Sequence, residues 1–179
     1  MKYINKVEFK SHELFKDLDI KFKDLNIIVG NNASGKTTLL KSIHSKENMT
    51  CEPDNITNEV AFFDTEINNP RFIDPGFDLF KCNLKLTSRE ESHGETLLKI
   101  LNSIFKEKDL IIFVDEPESG ISLKNQFKMV KQLKKASKHN QLFISTHSYV
   151  IITSVKEVYD LDTKSWIKSE DYIEMIKGE

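Results

Sequence analysis

Arginine is almost missing from this chain: Arg71 and Arg89 are the only two among 26 Lys and Arg in 179 residues. Cysteine is equally scarce. Cys51 and Cys82 have no metal-ligand spacing, which excludes a zinc ribbon or a disulfide framework and leaves reduced thiols as the expectation. No apolar run approaches the roughly 18 to 20 residues that span a bilayer. The opening Met1-Lys2-Tyr3-Ile4-Asn5-Lys6 has no apolar signal core behind it. A cytoplasmic protein without direct membrane insertion is expected. There are no repeats, heptads or low-complexity tracts, so long coiled-coil arms are excluded. The formal net charge of −2 speaks against an overall polybasic nucleic-acid binder and leaves only a local patch open.

What is present is an ordinary globular profile, 39% hydrophobic and 30% charged. It fits a single domain over 1–179 with a sizeable core. Residues 2–10 and the alternating Leu18 to Phe22 read as strands, as do Leu25 to Val29, Val60 to Phe63 and Val158 to Leu161. Leu110 to Val114 is a continuous apolar run, the mark of a strand buried on both faces, and Gln141 to Ser145 reads as a further buried strand. Helices are expected over Thr37 to Ile43, after Ser92, over Ser122 to Ser137 (with Phe127, Val130 and Leu133 facing the core) and over Ser169 to Lys177. Residues 44–58, with Pro53 and several Asn, read as loop, and 68–78, with Pro70, Pro75 and Gly76, as irregular. Strands alternating with helices predict an α/β layered fold.

Gly30-Asn31-Asn32-Ala33-Ser34-Gly35-Lys36-Thr37, followed by Thr38, matches G-x-x-x-x-G-K-[ST], the P-loop or Walker A pattern. It leaves a predicted strand and opens a predicted helix, so its N–H groups and the helix dipole would cradle a phosphate. In such a loop Lys36 reaches the β- and γ-phosphates of a nucleotide and the Thr37 hydroxyl ligates Mg²⁺. Asp115 ends the apolar strand Leu110 to Val114, where a P-loop protein keeps its second Mg²⁺ residue (Walker B). Glu116 follows, placed to orient or deprotonate an attacking water. A GTPase would need an Asn-Lys-x-Asp guanine reader, which is missing. A P-loop kinase would need more arginines than two.

Ser92-His93-Gly94-Glu95 has two readings: a capping box at a helix start, or a phosphate clamp offered to a nucleotide on another copy of the chain. The order GNNASGKTT, SHGE, FVDEPESG and STH resembles the ATP-binding cassette (ABC) ATPase family over almost the whole chain. The resemblance is to its small stand-alone soluble branch, related to RecF/SMC-like and anti-phage ATPases. It implies a P-loop NTPase fold with a mostly parallel central sheet flanked by helices, an N-terminal antiparallel β subdomain and a reduced helical subdomain. It also implies ATP and Mg²⁺ as cofactors and an ATP-dependent homodimer holding two nucleotides. In each site one copy would supply Gly30 to Thr38, Asp115, Glu116 and His147. The other would supply Ser92, His93, Gly94, Glu95 and the D-loop Ser119 and Gly120. His147 would sense the γ-phosphate and hold water with Glu116. His12, His44 and His139 read as surface residues.

The chain departs from the family pattern in several places. Ala33 stands where Gly is usual, which is harmless if φ stays negative. Glu91, His93 and Glu95 replace the usual signature residues, and the D-loop lacks its Asp. No Gln follows Val60 to Phe63, so Asp64 or Glu66 is the candidate for the metal-linking place. Tyr3, Phe9 and Phe15 are the aromatic candidates for stacking on adenine, although core packing is their favoured reading. The expected function is ATP hydrolysis that switches an unknown protein partner, with nucleic acid a further candidate partner, in DNA maintenance or in phage or mobile-element defence. The alternatives are an ATP-binding regulatory module with little hydrolysis, or the ATPase subunit of a transporter.

Overall fold

The computed structural model describes residues 3–10, 12–65 and 93–178, with the backbone alone of His93. Ser92, Glu66, Cys82, both arginines and the segment 68–78 lie outside the described residues.

The central sheet has six strands in the order β5-β6-β7-β3-β8-β9. These are β3 (Leu25–Val29), β5 (Val60–Asp64), β6 (Ile111–Asp115), β7 (Gln141–Ser145), β8 (Glu157–Asp160) and β9 (Ser165–Lys168). All neighbours are parallel except the edge pair β8 and β9. β6 and β7 are buried along their whole length because both faces are covered. Successive side chains point to opposite faces. Thus Ile112, Val114, Ile27 and Ile144 join α2 (His93–Ile104) and α3 (Leu123–Ala136) in one core. Ile111, Phe113, Ile28 and Phe143 join α1 (Lys36–Ser45) in the other. In that second core Phe113 stacks on Phe143 with centroids 4.7 Å apart, an offset aromatic contact.

A second sheet, β2-β1-β4, caps the α1 side. It is antiparallel, and β1 (Lys6–Phe9) pairs with β2 (Leu18–Lys21) and with β4 (Met49–Glu52). β4 corrects the expectation of loop over 44–58. Its four residues are too few to stand out among Asn and Pro, and pairing with β1 makes the strand. Two further short elements were not anticipated: β9 and α4 (Tyr149–Ile152), whose N-cap Ser148 accepts the Ile151 N–H at 3.2 Å. The expectation for α3 also needs correcting. Its buried residues are Met129, Leu133 and Ala136, while Phe127 is 57% exposed. His12 is not a free surface residue either: it is half-buried, lies 4.6 Å from the Phe15 ring and bonds to Ser42 Oγ at 3.0 Å.

The topology brings the C-terminal ends of β3, β5, β6 and β7 to one edge, where ligands of open α/β sheets bind. Asp64, Asp115 and Ser145 lie side by side there in register. Among the described residues no helix is long and apolar enough to cross a membrane.

Candidate nucleotide site

The loop after β3 turns over Gly30 to Gly35 into α1. Gly35 is the N-cap of α1 at φ 98°, and a Cβ there would lie 3.3 Å from the Phe15 ring. No acidic residue occupies the first turn of α1, so its positive end faces the cleft uncompensated. Lys36 is buried and donates to the carbonyls of Gly30 at 3.1 Å and Asn31 at 2.9 Å. Burial lowers its ammonium below the ordinary value, against the pull of Glu116, Asp162, Asp115 and Glu118. A poorly hydrated ammonium held on loop carbonyls is ready to exchange them for an anion. Ser34 Oγ is buried inside the loop with no hydrogen-bond partner among the described residues.

Ala33 has φ 63°, which overturns the expectation of a negative φ. Closing the loop demands a left-handed residue at that position, and alanine takes it under strain.

Across the cleft, the Thr37 hydroxyl donates to Asp115 Oδ2 at 2.7 Å. Ser145 Oγ donates to the other oxygen, Oδ1. The two residues expected to share a Mg²⁺ ion are therefore in contact. A hydroxyl and a carboxylate suit that hard cation, which keeps several waters and uses one or two carboxylates. Asp64 is buried at the end of β5 and pairs with Lys41 at 3.4 Å. Thr65 Oγ1 donates to the carbonyls of Asp115 and Glu116, each at 3.2 Å.

Glu116 leaves β6 with φ 45°, a region that a non-glycine residue occupies only when its surroundings hold it. Its N–H donates to the Ser145 carbonyl at 3.2 Å and to Ser145 Oγ at 3.1 Å. The turn aims its carboxylate at the cleft, where Oε1 lies 3.7 Å from His147 Nε2. Glu116, His147 and the P-loop residues Asn32, Ala33 and Lys36 line a cleft of about 230 Å³.

The described residues among the remaining candidates do not line this cleft. Ser92 is outside the described residues. Gly94 packs against the Gly120 carbonyl of the same chain. Glu95 lines a different groove, with Lys99 and Lys128, between α2 and α3. Ser119 and Gly120 are exposed in consecutive turns after Pro117. Of the aromatic candidates, Phe9 and Phe15 are buried, and Tyr3 donates to the His139 carbonyl at 2.8 Å, next to the N-terminal end of β7. The apolar surface at the cleft is Leu14, 59% exposed.

Three residues were missed by sequence reasoning. Asp162, in the β8–β9 turn, accepts the Asn31 N–H at 2.6 Å. Glu118 accepts the His147 N–H at 2.6 Å, while its Oε2 is buried without a partner among the described residues. Burial raises the Glu118 carboxyl above its ordinary value. Ser145 joins β6 to β7 under the cleft. Only Glu118 and Ser145 had a sequence signal, as members of DEPESG and STH.

The comparisons bear on the fold. The family described as "AAA domain, putative AbiEii toxin, Type IV TA system" matches residues 81–153. A dimeric bacterial ABC transporter cassette superposes with TM-score 0.57 at 16% identity, covering 92% of this chain and 97% of that one. The same cassette as a post-hydrolysis dimer bound to ADP and Pi gives 0.57 at 15%, with 92% and 97% covered. The SMC head domain of Thermotoga maritima gives 0.60 at 15%, covering 89% and 94%. No curated protein matches the sequence significantly. At such identities the likeness is one of fold.

Proposed function

We propose that this chain, whose fold is that of the ABC-type P-loop ATPases shared by transporter cassettes and the SMC head, binds ATP with Mg²⁺ and hydrolyses it between two copies of itself. The observation that carries this reading is the pair of contacts across one cleft: Thr37 to Asp115 at 2.7 Å and Glu116 to His147 at 3.7 Å. The first fits a hydroxyl and a carboxylate that together would hold a divalent cation. The second fits an imidazole that holds a carboxylate beside the water it would orient.

In this reading the P-loop N–H groups from Ala33 to Thr38 hold the β-phosphate, and Lys36 leaves its carbonyl partners for the β- and γ-oxygens. Thr37 and Asp115, with Asp64 beside Asp115, would hold Mg²⁺, whose charge would offset that of the phosphates. Glu116 orients the attacking water in line with the γ-phosphorus and accepts its proton. His147 keeps the Glu116 carboxylate in place. Leu14 offers an apolar face to the base. A second copy supplies Ser92, His93, Gly94 and Glu95 together with the D-loop, a reading supported by the transporter cassette's being dimeric. Closing and opening of that dimer is the switch passed to a partner, in DNA maintenance or in phage and mobile-element defence, inside the cytoplasm.

The test is turnover and assembly of Glu116→Gln beside wild type. Hydrolysis should fall at least about a hundredfold, while an ATP-bound dimer accumulates in light scattering. Equal slow turnover by both proteins sinks the hydrolase reading and leaves an ATP-binding module. Turnover that falls without any dimer sinks the sandwich alone.

A further inference from the structure

α3 reads LKNQFKMVKQLKKA: five lysines and no acidic residue in fourteen positions. At 3.6 residues per turn, Lys124, Lys128, Lys131 and Lys135 fall within about 60° of one another on the helix surface, opposite Met129, Leu133 and Ala136. All four are exposed, and none forms an ion pair among the described residues. The carboxylate that shares their groove is Glu95, beside Lys99 and Lys128. In a chain of net charge −2 this is a local, largely uncompensated row of positive charge. A merely solvated lysine face would have no use for the large apolar side chains along its edge. Phe127 is 57% and Leu123 63% exposed there, and Tyr149, 60% exposed, comes from α4, which packs on α3 through Ser148 and Gln126.

We propose that this face of α3 binds single-stranded nucleic acid. Lys124, Lys128, Lys131 and Lys135 span about 16 Å along the helix at 1.5 Å per residue, a row of point charges for successive backbone phosphates. Lysine, a flexible point charge without Arg's planar fork, suits contacts that position without reading sequence. Phe127 stands at the edge of the row, beside Lys131, where an unstacked base can lie on its ring, the pairing of charge and aromatic surface that single strands use. These residues lie outside the P-loop cleft, so the proposal stands apart from nucleotide hydrolysis.

The test is fluorescence anisotropy of the full chain with a labelled oligothymidylate of about 20 nucleotides, without ATP, between about 50 and 200 mM salt. Binding should follow salt with a logarithmic slope of about −3, from four phosphate contacts on a single strand. A Lys124→Glu, Lys131→Glu, Lys135→Glu variant should lose at least about tenfold in affinity and flatten the slope. Phe127→Ala should lose about tenfold and keep the slope, since it removes stacking and no charge. Thermal melts and ATP turnover of both variants should match wild type. No binding at low salt, or lysine variants that bind like wild type, overturns the proposal. So does tighter binding to a duplex or to anionic vesicles with no loss in Phe127→Ala.

Discussion

A Cβ added to Gly94, in the first turn of α2, would stand 2.8 Å from the Gly120 carbonyl oxygen and 3.3 Å from Ile121 Cα. Gly94 and Gly120, the glycines expected in the signature and the D-loop, thus pack closely within one chain. The glycine in SHGE has a packing role inside the monomer, whatever Ser92 does across a dimer. The contact also couples two segments proposed to meet the second copy together.

Gly94→Ala should therefore destabilise the monomer. Alanine gains up to about 1 kcal/mol of helix propensity, but a backbone carbonyl has no rotamer to move away, and overpacking costs about 1 to 3 kcal/mol. A net fall of several degrees in the melting temperature is expected, with ATP binding by the monomer retained. An unchanged melting temperature would show that the turn at Gly120 yields.

Ala33 gives a prediction of opposite sign. Its φ of 63° costs alanine about 1 to 2 kcal/mol. Glycine removes that strain and returns about 0.4 to 1 kcal/mol of unfolded-chain entropy. Ala33→Gly should stabilise by roughly 0.5 to 1 kcal/mol, and Ala33→Val, β-branched in the left-handed region, should destabilise. Chemical denaturation of the two variants checks this; equal midpoints would refute the strain.

How much of this could be read beforehand depends on the range of the cause. β6 was legible because burial on both faces writes five apolar residues in a row from Leu110 to Val114, β7 because Leu142, Phe143 and Ile144 form a shorter run, and the P-loop because its spacing is local. Asp115 and His147 followed, each at or just past a legible strand's end. β4 was not legible, since Met49 to Glu52 becomes a strand only beside β1. Nor was the sign of φ at Ala33, which loop closure decides. The bond from Asn31 to Asp162 joins positions 131 residues apart, and no spacing rule reaches that far. Phe127 was misassigned because Phe127, Val130 and Leu133 recur every three residues, a spacing that drifts about 60° per step round an α-helix, so Phe127 ends up on the water side while Leu133 reaches the core.

That long-range bond is itself testable. Asp162 Oδ2 holds the Asn31 N–H at the base of the P-loop, and its charge also raises the Lys36 ammonium. Asp162→Ala loosens the loop and should weaken ATP binding several-fold by calorimetry. Asp162→Asn keeps an acceptor and removes a negative charge near the phosphates, so it should bind ATP at least as well as wild type. If Asp162→Ala binds as tightly as Asp162→Asn, the tie is dispensable.

Glu118 carries the pH dependence. Its carboxyl is raised, first by burial and also by the Glu116 charge, while its own backbone N–H, the His147 N–H and the Thr146 hydroxyl pull the other way. The folded state thus holds this proton to higher pH than the unfolded chain does. In the window from the ordinary glutamate value up to the raised one, the unfolded chain binds fewer protons, so this group makes stability fall as pH rises. Above that window the native state carries a buried carboxylate with one oxygen unpartnered among the described residues. Glu118→Gln keeps an oxygen to accept the His147 N–H and removes the charge. It should melt a few degrees higher than wild type at pH about 8, and the gain should shrink as pH falls below the glutamate range. Because the same bond sets where His147 sits against Glu116, Glu118→Ala should lower turnover far more than it weakens ATP binding. A stability difference between wild type and Glu118→Gln that stays constant with pH would show that the carboxylate is hydrated rather than buried.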